Sequence, residues 1–220
     1  MLQLEDAIER DDESTVITLL DSGAVNINEI LPFSGSPLNV ACVHGGFNMV
    51  KLLLERKANI NQTIHGNVTP LYNACLFSKF DIANLLILNG ANINIGNFMG
   101  DSPLMNAVAC MNVNIVTLLL DRKADINHIN HYNESALSMA FMSPRAINKI
   151  IARLLMDKGA NLQVHPCIDL RNNEWACMQE QVLKDASIAS FLTQEHATLF
   201  RGFNMPCVLT HLFSQYISFL

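Results

Sequence analysis

Cys207 and His211 stand four residues apart near the end of the chain. On a helix that spacing brings a thiol beside an imidazole, the opening pair of a nucleophilic catalyst. Such a pair needs a third group to orient the base and donors for an oxyanion, and no residue pattern supplies them. Nor does the chain contain a G-x-S-x-G, a P-loop, an H-E-x-x-H or a C-x-x-C. Metal chemistry fares no better. His44, His65, His128 and His131 have no Cys or carboxylate at ligand separations, so neither a metal nor another cofactor is expected. The six cysteines, Cys42, Cys75, Cys110, Cys167, Cys177 and Cys207, read as reduced structural thiols of a reducing compartment. An enzyme is not expected.

The composition narrows the remaining classes. Half of the 220 residues are hydrophobic, 15% are charged and the net charge is -6. Without a basic run, a surface that tracks phosphates is not expected, so nucleic acid is not a predicted partner. No apolar stretch reaches the roughly 18 residues that span a bilayer, so no membrane association is predicted. The start, MLQLEDAIERDD, lacks the apolar segment of a secretory signal. A cytoplasmic location is the expectation.

The elements that must position any functional side chain come from a repeat. LLLERKANIN at Leu52–Asn61 returns as LLILNGANIN at Leu85–Asn94 and as LLLDRKADIN at Leu118–Asn127. Ser36-Pro37-Leu38, Thr69-Pro70-Leu71, Ser102-Pro103-Leu104 and Ser135-Ala136-Leu137 recur every 33 residues, as do Asn28, Asn61, Asn94 and Asn127. Ser or Thr before Pro predicts a helix start, because the hydroxyl accepts an orphan N–H and Pro at the first helical position loses nothing. A short helix follows with small residues inside: Ala41-Cys42, Ala74-Cys75 and Ala107-Val108. MVKLLLER, IANLLILN and IVTLLLDR then predict a second helix with apolar residues three and four apart. Its stop falls at Gly23, Lys57, Gly90, Lys123 or Gly159, where a left-handed residue is favoured. A helix pair of this size cannot bury its own apolar face, so neighbours must stack.

A 33-residue period with a [ST]-P-L start resembles the ankyrin repeat family over about Leu4–Gln163. The resemblance implies an all-α ankyrin-repeat solenoid with short β-hairpin loops. It divides the chain into a half-repeat cap at 4–28, full repeats at 29–61, 62–94 and 95–127, and a repeat at 128–163 with three extra residues around Met142–Ile150. That insertion either lengthens the loop between its two helices or extends the second helix. The family's His after T-P-L is replaced by Asn39, Tyr72, Met105 and Ser138, so its hydrogen bond to the Thr is not carried over. The family's tip Gly appears as Ser34, Asn67, Gly100 and Asn133, and Asn tolerates the same turn.

In this family, partners meet the hairpin tips and the palm of first helices on the concave side. The tips here carry Pro32-Phe33, His65-Gly66, Phe98-Met99 and His131-Tyr132. The palm carries Val43-His44, Leu76-Phe77, Ala109-Cys110 and Met142-Ser143, with Tyr72 and Met105 near the same groove. Aromatics and methionines are enriched at interfaces. The predicted function is therefore non-enzymatic binding of a protein partner through Phe33, His44, Tyr72, Phe77, Phe98, Met99, Met105, His131 and Tyr132. The resemblance also implies that Asn61, Asn94 and Asn127 could serve as substrates of an asparaginyl hydroxylase, although a structural role in the turn accounts for them alone.

Beyond Gln163 the repeat fades. Residues 164–200 read as a degenerate last repeat, with helices over Trp175–Lys184 and Ser187–Leu199, and 201–220 as a closing amphipathic helix. That last helix resembles the start of a SOCS box or an F-box through Pro206, Leu209, Leu212, Phe213 and Ile217. A substrate-recruiting adaptor that docks ubiquitin-ligase subunits is the alternative function. The abundance of Asn and Ile matches products of AT-rich genomes, which makes a host-directed effector of an intracellular microbe a further alternative.

Overall fold

A computed structural model describes residues 2–30, 35–142 and 145–161, all within the first of the chain's two units, Met1–Gln163. These residues form helices in pairs: α1 (Leu2–Glu9) with α2 (Glu13–Asp21), α3 (Pro37–Val43) with α4 (Phe47–Glu55), and α5 (Pro70–Leu76) with α6 (Phe80–Leu88). Then come α7 (Pro103–Ala109) with α8 (Val113–Asp121) and α9 (Ala136–Met142) with α10 (Ala146–Asp157). First helices pack in one row, α1 on α3, α3 on α5, α5 on α7 and α7 on α9. Second helices α4, α6, α8 and α10 form the other row.

Each first helix starts where the hydroxyl predicts. Ser36, Thr69 and Ser102 accept from the N–H of Asn39, Tyr72 and Met105 at 3.3, 3.1 and 3.3 Å, and Ser135 accepts from Ser138 N–H at 3.2 Å. Asp12 caps α2, and the hydroxyls of Thr15 and Ser14 together with the Thr15 N–H hold its carboxyl down at about 2. The second helices end as predicted. Lys57, Gly90, Lys123 and Gly159 all have φ between 66° and 91°, and Gly23 at the end of α2 has φ 68°. The next N–H reaches back to close the end: Ala58 to Leu53 O, Ala91 to Leu86 O, Ala124 to Leu119 O and Ala160 to Leu155 O, at 2.9 to 3.0 Å.

The extra residues of the fourth repeat lie in α10. It has 12 residues where α4, α6 and α8 have nine, and it starts in register with them. Of the two alternatives, the longer second helix is the one adopted.

The core lies between the rows. Ala41, Cys42, Ala74, Cys75, Ala107 and Val108 have no exposed surface, so adjacent first helices approach closely. A chain of buried amides also crosses this core. Asn39 Nδ2 donates to Ser36 Oγ at 3.0 Å and to Gln62 O at 2.9 Å, and Asn73 Nδ2 donates to Asn39 Oδ1 at 2.9 Å. Asn106 Nδ2 continues it to Tyr72 O at 3.2 Å. Asn39 thus makes the bond to the capping hydroxyl that the replaced His cannot. Ser138 Oγ makes another version, bonding the N–H and C=O of Ser135.

Among the described residues the hairpins are isolated bridges, Ile64 with Val68 and Ile129 with Ser135, and not strands.

Candidate partner-binding face

The tips are tight turns. Asn67, Gly100 and Asn133 take left-handed φ values of 58°, 83° and 60°. Asn97 Oδ1 accepts from the N–H of Met99 and Asp101, both at 2.9 Å, and Asn130 Oδ1 accepts from Tyr132 and Glu134 N–H at the same distance. The tips at Gly100 and Asn133 are each tied to the one before through the backbone. Phe98 N–H donates to Gly66 O at 2.7 Å, and His131 N–H donates to Met99 O at 2.9 Å. Gly66 permits this approach: a Cβ there would sit 3.3 Å from the Phe98 ring, at a φ of 81° that side chains resist.

This ribbon holds large apolar side chains in water. Phe98 is 62% exposed and Tyr132 58%. On the palm, at the end of α5, Phe77 is 48% exposed beside an exposed Leu76, and Met142 is exposed at the end of α9. His44 and His131 are exposed, and Met99 is half-buried. Phe33, Ser143 and the suggested ligase-docking residues Pro206, Leu209, Leu212, Phe213 and Ile217 lie outside the described residues.

Two predicted contact residues belong elsewhere. Met105 is fully buried and Tyr72 is 9% exposed. The position after [ST]-P-L is the third of its helix and faces the neighbouring repeat. Tyr72 keeps one polar task there, because its hydroxyl accepts from Asn97 Nδ2 at 3.0 Å and so supports the tip that carries Phe98. Burial, then the nearby Asp101 carboxylate, raises the phenol above its ordinary range.

The carboxylates on this face are held by neutral amides. Asn130 Nδ2 bridges Asp101 Oδ1 at 2.7 Å and Glu134 Oε2 at 2.9 Å. The recurring Asn residues of the exit turn also prove to be acceptors. The Oδ1 atoms of Asn28, Asn61, Asn94 and Asn127 take the N–H of Asn59, Asn92, Asp125 and Asn161 at 2.7 to 2.9 Å, one repeat further on. Cys42 and Cys75 are buried free thiols, and burial pushes Cys75 up to about 12 and Cys42 higher still. At ordinary pH both stay protonated and unreactive.

A second row of apolar side chains escaped the sequence reading. Phe47 and Phe80 open α4 and α6 and are exposed, as is Leu88. With Asp81, Asn84 and Leu85, Phe47 and Leu88 line an open hollow of about 360 Å³. Heptad-like spacing marks such positions as apolar but does not say which of them lack a neighbour.

A profile of three ankyrin repeats matches residues 4–97 and again 81–165. The chain belongs to the ankyrin repeat family. Ankyrin repeats are generally non-catalytic modules of protein–protein interaction. No curated protein matches the chain. The departures of this ankyrin array from the family pattern fall where the structure shows a substitute contact, at Asn39 and Ser138, or plain burial, at Met105.

Proposed function

We propose that the chain is a non-enzymatic binding module that takes a partner protein on the concave face made by its hairpin tips and first helices. The observation that carries this is the row of exposed Phe98, Tyr132, Phe77, Leu76 and Met142. Exposed aromatic and methionine side chains are the residue types enriched at interfaces. The tips are pre-ordered by their backbone bonds, so little conformational entropy is lost on binding, and a few aromatic anchors supply most of the affinity. The buried free thiols support a reducing setting such as the cytosol.

Affinity capture with the whole chain, read by quantitative mass spectrometry, tests the reading. Phe98→Ala combined with Tyr132→Ala should leave the melting temperature nearly unchanged and lower partner recovery by tenfold or more, on the order of one to two hot-spot residues. An unchanged set of partners, or a steep loss of stability, would sink it.

A further inference from the structure

Phe98 stands 62% exposed, yet the turn that carries it is held from inside the stack. Asn97, just before it, is the joint. Its Oδ1 takes the N–H of Met99 and of Asp101, both at 2.9 Å, and its own N–H reaches Asp101 O at 3.0 Å. The two Oδ1 bonds form only with the side-chain amide turned one way. Its Nδ2 sets that orientation, donating to the Tyr72 hydroxyl at 3.0 Å and to Asp101 Oδ2 at 3.2 Å. The longer bond lies within the turn itself. The shorter one comes from α5, one repeat back, and from a residue only 9% exposed.

The equivalent positions of the other first helices do not repeat this contact. Asn39 on α3 also reaches the next hairpin, but at the Gln62 carbonyl. Met105 on α7 carries no hydroxyl, and the next turn's Asn130 Nδ2 goes to the carboxylates of Asp101 and Glu134 instead. The Phe98 turn is thus the one in which a buried ring bears an acceptor for the turn's amide.

We infer that Tyr72 is a positioning residue of the binding face: its buried hydroxyl, acting through Asn97, holds the turn that presents Phe98 to the partner. The inference rests on the binding-module reading and deepens it, because it puts a determinant of affinity beneath the contact surface. An anchor that is already ordered loses less freedom on binding than a loose one. Two other bonds hold the chain on either side of Asn97, from Phe98 N–H to Gly66 O and from Asn67 Nδ2 to Gly96 O, both at 2.7 Å. Loss of the hydroxyl therefore loosens the turn without freeing the hairpin, and its effect is local.

Tyr72→Phe in the full chain is the test. It keeps the ring, so the melting temperature should fall by no more than about 4 °C, the loss of one hydrogen bond. In solvent-exchange NMR the amides of Met99 and Asp101 should exchange about threefold faster or more, with those of α5 and α6 unchanged. Recovery of the partner in affinity capture should fall by about threefold or more in the parent background and no further in a Phe98→Ala background, where the side chain being positioned is gone. Unchanged exchange at Met99 and Asp101, or equal acceleration throughout α5 and α6, would overturn the inference. So would the same loss of partner with and without Phe98, because a general loss of stability acts in both backgrounds alike. The Phe98→Ala, Tyr132→Ala chain separates the two readings. If it loses its partner while Tyr72→Phe binds as the parent does, the binding face stands and the positioning role falls. If it keeps its partner, the binding-face reading falls and the exchange rates still judge whether Tyr72 holds the turn.

Discussion

At the scale of single residues, the ends of the second helices carry the clearest local strain. Lys57 and Lys123 hold φ values of 68° and 66°, where Gly23, Gly90 and Gly159 occupy the same place in other repeats. A side chain in left-handed backbone costs about 1–2 kcal/mol, partly offset because glycine loses more freedom on folding. Lys57→Gly and Lys123→Gly should therefore each stabilise the chain by up to about 1 kcal/mol, a rise of about 2–4 °C in melting temperature. Calorimetry of the two variants checks this, and a lower melting temperature would show that the lysine side chains contribute more than the strain removes. These stops were legible in the sequence because glycine, with its known backbone preference, stands at three of the five and lysine takes the same place in the other two. The burial of Tyr72 and Met105 was not. A bulky side chain after [ST]-P-L reads equally as a lid on the groove or as a wedge between repeats, and only the separation of the helices decides.

Between elements, the decisive contacts are polar ones inside the apolar stack. Asn39 on α3 serves the cap of its own helix, the carbonyl of Gln62 and the amide of Asn73 on α5 at once. Asn39→Val keeps the shape roughly but leaves the Gln62 carbonyl and the Asn73 amide without partners. A buried group so stranded costs about 1–3 kcal/mol. A loss of about 2–4 kcal/mol in urea unfolding is expected, and Asn39→Val together with Asn73→Leu should recover part of it. If the double variant is worse than the sum of the singles, the amides are held by something other than each other. The sequence displayed these asparagines at interior positions of short helices, a visible anomaly. Their partners in neighbouring repeats were hidden, because those bonds span more than twenty residues and need two repeats in register.

For the whole array, every pair of helices is supported mainly by its neighbours, so stability should vary along the chain. Among the described residues, the pairs α3–α4, α5–α6 and α7–α8 have neighbours in the first-helix row on both sides, whereas α1 packs on α3 alone within it. Native-state hydrogen exchange should show α1 and α2 opening first, with the amides of α5 to α8 the slowest. Uniform protection from α1 to α8 would mean that the array opens as one unit. The period, the helix starts and the helix stops are enough to write down this architecture from the residues alone, since each repeat states the same local instructions. What distinguishes one side of the array from the other rests on differences among repeats, such as Phe98 against His65 at the tip.

The exit-turn asparagines have an evolutionary corollary. Asn61 Oδ1 takes the Asn92 N–H, and Asn94 Oδ1 takes the Asp125 N–H, in the same geometry one period apart. Excision of residues 62–94 would splice Asn61 to Ile95, and Asn61 would then meet the Asp125 N–H as Asn94 does now. The chain is in this sense written in interchangeable paragraphs. Unequal crossing-over at the Asn-Ile-Asn seam could lengthen or shorten it without leaving an acceptor stranded, and the partner-facing tips would be reshuffled with each exchange.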